Sequence, residues 1–265
     1  MTDFKVTKYR IRVENGKRGP DTPYSAVFLS DLHNASYGED NSRLLSEIRN
    51  ADPQLVFAAG DMLTSSKEPQ MDAAIALMNE LTRKYPVYYV NGNHESRMRE
   101  NTEDFQENYE KYVSAIRSYG VHLLENSAER LEIRHMPLCV WGLELPLAYY
   151  GHLGSQELTA DKVEEFLGKP SDDCYQILLS HNPCFFDAYA SWGADLTLSG
   201  HLHGGIIRLP LLGGVISPQM RLFPKYDRGL FSQEGKKLIV SAGLGSHTVN
   251  IRINNPPELI VLDFV

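Results

Sequence analysis

Short apolar runs recur along the chain, separated by stretches whose hydrophobic positions repeat with helical spacing. The runs are SAVFLS (25–30), QLVFAAG (54–60), PVYYVNG (86–92), LCVWGLEL (138–145), QILLS (176–180), LTLSG (196–200) and KLIVSAG (237–243). Continuous apolar runs rich in Val, Ile, Leu and Tyr predict strands covered on both faces. Between them, NSRLLSEIRNA (41–51) places Leu44, Leu45 and Ile48 on one helical face, and MDAAIALMNEL (71–81) does the same with Met71, Ala74, Ile75, Met78 and Leu81. Thr102 is a candidate cap for a helix carrying Phe105, Tyr109, Tyr112, Val113 and Ile116 that stops at Gly120, and Thr159 and Gly168 bracket a helix with Val163, Phe166 and Leu167. Strand–helix alternation predicts crossover connections and a mainly parallel sheet. The alternating ends, KVTKYRIRV and ELIVLDFV, predict outer strands with one wetter face. With no repeat, low-complexity tract or clear linker, residues 1–265 are read as a single domain.

The chemistry lies where the runs end. The first ends in Asp31-Leu32-His33, the second in Gly60-Asp61, the third in Gly92-Asn93-His94-Glu95, the fifth in His181, and the sixth in Gly200-His201-Leu202-His203-Gly204-Gly205. Ligands of open α/β sheets bind at the carboxyl ends of strands, so five strands are predicted to deliver these side chains to one sheet edge. Five of the nine histidines fall there, and His122, His135, His152 and His247 do not. Asp31/His33 and His201/His203 are two residues apart, a spacing that a turn can converge. Taken singly, D-x-H and G-D are ordinary loop and turn chemistry, and a lone histidine is more often structural than a ligand. Their occurrence in this order, each after an apolar run, is what the bland readings do not match. Carboxylates, an amide oxygen and imidazoles form a mixed N/O set suited to Mn²⁺, Fe or Zn²⁺. Seven candidate ligands exceed the needs of one four-coordinate ion, so two divalent metal ions are expected.

Composition narrows the partners. With 26 basic and 34 acidic residues the formal charge is −8, which disfavours extended nucleic acid, while bound cations can still reverse the sign of a local site for a small anion. Three cysteines without C-x-x-C spacing read as reduced thiols in a reducing compartment and exclude a cysteine zinc site. The opening MTDFKVTKYRIRVENGK has no signal-like apolar run and no stretch is long enough to span a bilayer, so the expectation is a cytoplasmic location.

D-x-H, G-D, G-N-H-E, a lone His and G-H-x-H, in that order, resemble the motif set of the calcineurin-like metallophosphoesterases over nearly the whole chain. LSGHLHGGIIRLP and VSAGLGSHTVNIRINNPPELIVL are similar to a bacterial phosphodiesterase subgroup of that family. The resemblance implies an α/β fold, a two-sheet α/β sandwich flanked by helices. It also implies one metal bound by Asp31, His33, Asp61 and His203 and a second by Asp61, Asn93, His181 and His201, with Asp61 as the bridge. Such a centre predicts a dinuclear phosphoesterase, in which a metal-bound hydroxide attacks a small phosphoester and diesters or pyrophosphates are preferred. His94, beside a ligand, is the candidate catalytic residue for phosphate contact or leaving-group protonation. The competing reading makes His94 a residue that only orients a ligand. Glu95 is a candidate brace or helix-start acid; Arg97, Arg99, Arg208, Tyr149, Tyr150 and His247 are further candidates for substrate contact. The alternative from another class is a metal-stabilised binding scaffold without turnover, since fold alone does not establish activity.

Overall fold

The computed structural model describes residues 3–14, 16–66, 68–101, 105–151, 156–205, 207–209, 213–216, 224–246 and 252–265. The first half contains β1 (Lys5–Ile11), β2 (Tyr24–Leu29), α1 (Ser42–Ala51), β3 (Pro53–Ala59), α2 (Asp72–Thr82), β4 (Val87–Val90), α3 (Asn93–Glu100), α4 (Gln106–Ser118) and β5 (His122–Leu123). The second contains β6 (Ser127–Ile133), β7 (Met136–Leu143), α5 (Ala160–Leu167), β8 (Tyr175–Ser180), α6 (Phe186–Trp192) and β9 (Leu196–Ser199). It continues with β10 (Ile207–Leu209), β11 (Gly213–Ile216), β12 (Gly229–Gln233), β13 (Lys236–Val240) and β14 (Glu258–Phe264).

Two mixed six-stranded sheets form, ordered β1-β14-β2-β3-β4-β5 and β12-β13-β9-β8-β7-β6. Their side chains follow the strand period of two. Ala26, Phe28, Leu55, Phe57, Tyr88 and Val90 point inward and meet Leu138, Val140, Ile177, Leu179, Leu196 and Leu198 between the sheets. The intervening Val27, Leu29, Val56, Ala58 and Tyr89 point outward, against Leu44 and Ile48 of α1, Leu77, Met78 and Leu81 of α2, and Tyr112 and Ile116 of α4. On the far face of the second sheet, Leu178 and Leu143 pack with Val163 of α5 and Tyr189 and Trp192 of α6. Thr159 caps α5 by accepting the Lys162 N–H at 3.3 Å, and Gly168 closes it at φ +81°. The cap expected at Thr102 lies outside the described residues.

Three expectations change. The five ligand-bearing strands belong to two sheets rather than one: β2, β3 and β4 to the first, β8 and β9 to the second. The final strand is not an outer one, because β14 lies between β1 and β2 and is buried along nearly its whole length. β1 is the edge strand, as its alternation predicts.

The third change concerns the cysteines. Cys139 on β7 and Cys174, just before the neighbouring β8, form a disulfide across 35 residues of sequence, and Cys184 takes no part in it. Strand register, which spacing cannot reveal, brings the pair together. The expectation of three reduced thiols is therefore corrected, and the cysteines lend no support to a reducing compartment. Thiol titration of unfolded, unreduced protein should find one thiol, not three. Replacing both Cys139 and Cys174 by Ser should cost about 2–4 kcal/mol in denaturant unfolding.

Candidate metal centre

The carboxyl ends of the strands from both sheets meet at one rim. Asp31 and His33 follow β2, Asp61 follows β3, and Asn93 and His94 open α3 immediately after β4. His181 follows β8, and His201 and His203 follow β9. Of the seven predicted metal ligands, five adopt left-handed backbone: Asp31 at φ +50°, His33 at +45°, Asp61 at +53°, His201 at +74° and His203 at +50°. A non-glycine residue there costs roughly 1–2 kcal/mol, and such strain collects where a site over-determines the chain. Sharp turns after the strands are what bend these side chains inward.

Glycine allows the loops to close. A Cβ on Gly92 would stand 2.2 Å from Asp61 Oδ1, and one on Gly200 would stand 2.2 Å from Asp31 Oδ2. Gly92, before Asn93-His94, and Gly200, before His201, are therefore each required by contact with an aspartate that follows a different strand.

The donor atoms converge in overlapping groups. Asp31, His33 and His203 form one, Asp61, His181 and His201 another, and His33, Asp61 and His94 a third, with the atoms of each group within 4.8 Å of one another. His203 Nε2 lies 3.2 Å from His33 Nε2 and 3.3 Å from Asp31 Oδ1. His181 Nε2 lies 3.0 Å from Asp61 Oδ2 and 3.8 Å from Asp31 Oδ1. Asp61 Oδ2 is also 4.0 Å from both His33 Nε2 and His94 Nε2, which makes this carboxylate the hub of the cluster.

Hydrogen bonds set two of the tautomers. His181 Nδ1 lies 2.7 Å from the Ala59 carbonyl, which can only accept, so the neutral ring keeps its proton on Nδ1 and can offer the Nε2 lone pair to a cation. His94 is the reverse. Its Nδ1 accepts the Ser65 backbone N–H at 2.9 Å, which places the proton on Nε2, the nitrogen facing Asp61.

Charge favours a cation here. Asp31, Asp61 and Glu95 are three buried carboxylates in one region. Burial pushes Asp31 up to about 6, with His181 pulling it down and Asp61 pushing it up. Burial would raise Asp61 too, but His181, His94 and His33 hold it well below the usual carboxylate range. Burial pulls the His181 imidazole down, yet Asp61 and Asp31 beside it prevail and raise it to about 10. The fit is sharpest at Asn93 Oδ1, a buried oxygen that has no hydrogen-bond partner. Buried polar atoms are nearly always paired, and a lone-pair atom left over in this setting is what a divalent cation accepts.

The secondary candidates divide. Glu95 is a brace: Oε2 accepts the N–H groups of Asp61 and Gly92, each at 2.9 Å, and Oε1 that of Leu63 at 3.0 Å. It ties the Asp61 loop to the start of α3 while also serving as the helix-start acid, so both sequence readings hold. Tyr150 stands edge-on to His201 with ring centroids 5.0 Å apart, whereas Tyr149 is buried against Phe185. Arg97 donates to Ser65 Oγ at 3.2 Å and Arg99 to Glu144 at 2.5 Å. His247 and the Arg208 side chain lie outside the described residues. Sequence reading missed Ser30, whose hydroxyl donates to Asp31 Oδ2, and Ser65, whose bond to His94 joins residues 29 apart. Neither carries a local signal.

Comparison with known proteins identifies the family. The calcineurin-like phosphoesterase profile matches residues 24–205. The metallophosphoesterase YkuE of Bacillus subtilis (strain 168) is 26% identical over 243 residues, covering 90% of this chain and 78% of its own length. Phosphodiesterase YaeI of Escherichia coli (strain K12) is 24% identical over 252 residues, covering 92% and 83%. Among solved structures, one from Staphylococcus aureus assigned as a 5′-nucleotidase superposes with TM-score 0.50 at 11% identity. It spans 84% of this chain, which covers about half (49%) of that protein, and at this identity the likeness speaks for the fold alone. No helix among the described residues is long and apolar enough to cross a membrane. The motif order, the two helix-flanked sheets and the profile match over most of the chain place this protein in the calcineurin-like phosphoesterase family.

Proposed function

We propose that this chain is a dinuclear phosphodiesterase, with one cation held by Asp31, His33, Asp61 and His203 and the other by Asp61, Asn93, His181 and His201. The observation that carries the reading is the position of Asp61 between two groups of buried donors, with Asn93 Oδ1 left unpaired at the start of α3, where the next residue's N–H donates to Asp61. The mixed N/O donor set suits Mn²⁺, Fe or Zn²⁺, and Mn²⁺ is taken as the first candidate. Two such ions would acidify a water and neutralise charge on the non-bridging phosphate oxygens. The chain's own residues supply the rest. His94 presents its Nε2–H toward the centre, where it can hold a phosphate oxygen or protonate the departing one. Glu95 fixes the Asp61 loop against α3, and the edge of Tyr150 covers the His201 side.

Substrate charge separates esters. A monoester carries about one more negative charge than a diester near neutral pH, because the second phosphate pKa is about 6. Holding that charge calls for fixed cationic side chains beyond the metals. Arg97 and Arg99 are engaged with Ser65 and Glu144, which favours the less charged diester or pyrophosphate linkage. The likeness to phosphodiesterase YaeI supports the same choice. With Mn²⁺ present, bis(p-nitrophenyl) phosphate should be hydrolysed several-fold faster than p-nitrophenyl phosphate at matched concentration. A several-fold preference for the monoester would overturn the substrate assignment, and activity on neither, in protein that holds both metals, would overturn the enzymatic one.

A further inference from the structure

The family profile ends at residue 205, yet a buried polar network from the last forty residues holds two of the proposed ligands in place. It begins at the turn after β13. Leu244 N–H donates to Ser30 O at 3.0 Å and Gly245 N–H to Asp31 O at 2.6 Å. Gly243 packs so closely that a Cβ there would stand 2.7 Å from Asp31 Cβ. This turn is the surface against which Asp31 keeps its left-handed backbone.

Arg252 fastens the turn. Its guanidinium donates to Ala242 O at 2.8 Å, to Gly243 O at 3.3 Å and to Gly245 O, so one planar fork gathers three carbonyls of a single turn. Its Nη2 also lies 3.3 Å from His203 Nδ1. Asn255, fully buried, does the same for the other strained loop. Its Nδ2 donates to His203 O and, at 2.8 Å, to Gly205 O, across a segment where His203, Gly204 and Gly205 all have positive φ. Arg228 orients Asn255 by donating to Oδ1 at 3.1 Å and pairs with buried Glu258 at 2.6 Å. Glu258 in turn accepts the Ala242 N–H at 3.2 Å, which closes the ring on the turn held by Arg252.

Both residues steadied in this way, Asp31 and His203, belong to the same donor group with His33. On the other side of the centre Asp61, Asn93 and His181 are held by other means, through Glu95 and the Ala59 carbonyl, and the bond from His201 to Asp31 is made by its backbone N–H, not its ring. We propose that Arg252 and Asn255 are positioning residues for the first cation alone, so that the C-terminal segment sets the affinity of one metal of the pair. The proposal rests on the dinuclear reading above.

The test is a Mn²⁺ titration of metal-free protein by calorimetry, with bound ions counted by elemental analysis. The unaltered chain should take up two ions. In Arg252→Lys, which keeps the charge but loses the fork, and in Asn255→Ala, one ion should keep its affinity while the other weakens about 10–100-fold, the usual effect of removing a ligand's supporting partner. Melting of the metal-free variants should show that each is folded, and if Asn255→Ala is not, Arg252→Lys carries the test. A cycle then identifies the site: Arg252→Lys should add little to His33→Ala, whose first site is already impaired, but should cost a further 10–100-fold on His181→Ala. Two ions in the unaltered chain with both weakened alike, or neither weakened, in the variants overturns the proposal and leaves the dinuclear reading standing. Fewer than two ions in the unaltered chain overturns both.

Discussion

Asp61→Ala is expected to abolish hydrolysis of every phosphoester substrate and to leave the purified protein with at most one weakly held metal. The carboxylate has no substitute in the cluster. Oδ2 faces His181, His33 and His94, while Oδ1 accepts the His94 N–H at 2.9 Å at the start of α3, where the helix dipole favours an anion. Removing it leaves two donor groups with no shared ligand. Asp61→Asn separates charge from shape: it preserves an oxygen for the His94 N–H but loses the negative charge, and it should also lose metal. The fold should survive both changes, because three layers of packed apolar side chains form without the site and a core of this size does not depend on a metal. Elemental analysis beside circular dichroism checks the pair of claims. Retention of two metals in folded Asp61→Ala would remove Asp61 from the bridging position.

His94→Ala is expected to keep both metals and the fold while turnover falls about 10²–10⁴-fold, the range for a positioned acid or base. The structure gives this residue two possible duties and a way to tell them apart. With Nδ1 accepting from Ser65, the ring is a neutral Nε2–H donor, ready to hold a phosphate oxygen. Protonating a leaving group asks for more, since a neutral ring that gives up Nε2–H becomes an imidazolate; Nδ1 must first take up a proton, with Ser65 Oγ able to accept from it. If Nε2–H is given up, an alkyl ester, whose leaving group needs the proton, should lose far more rate than an aryl ester of an acidic phenol. Equal losses on both esters would assign His94 to phosphate positioning. Because His94 Nε2 also groups with His33 and Asp61 at ligand distance, the metal content of the variant is part of the test: loss of an ion would make His94 a ligand.

The candidate site left more local signals in the sequence than the division of the strands between two sheets did. Each proposed ligand follows an apolar run, and glycine precedes the Asp61, Asn93 and His201 motifs because loops from different strands touch there; Gly92 and Gly200 are forced by contact with Asp61 and Asp31. That is local chemistry and so is legible locally. The division of the runs between two sheets is set by long-range pairing, and apolar runs look alike in either sheet. β6 was missed for a specific reason. Its hairpin with β7 turns on Arg134 and His135, both left-handed at φ +51° and +60°, whereas this turn usually announces itself with Asn-Gly. β12 escaped in the same way, its alternating exposure too short to stand out before the Glu234-Gly235 turn. α6, at seven residues, is too brief for helical periodicity to declare itself. The disulfide, the bonds of Asn255 to the His203 loop and the seat of the Arg252 turn on Asp31 depend on contacts across tens or hundreds of residues, such as Gly245 to Asp31, and no window along the chain contains both partners.

The central claim is that two cations share Asp61. Crystals grown with Mn²⁺ and measured at an energy where manganese scatters anomalously test it most directly. The account predicts two anomalous peaks about 3.5–4 Å apart, with Asp61 touching both, Asp31, His33 and His203 at one, and Asn93, His181 and His201 at the other. A single peak at full occupancy, or two peaks with no common Asp61 contact, would contradict it.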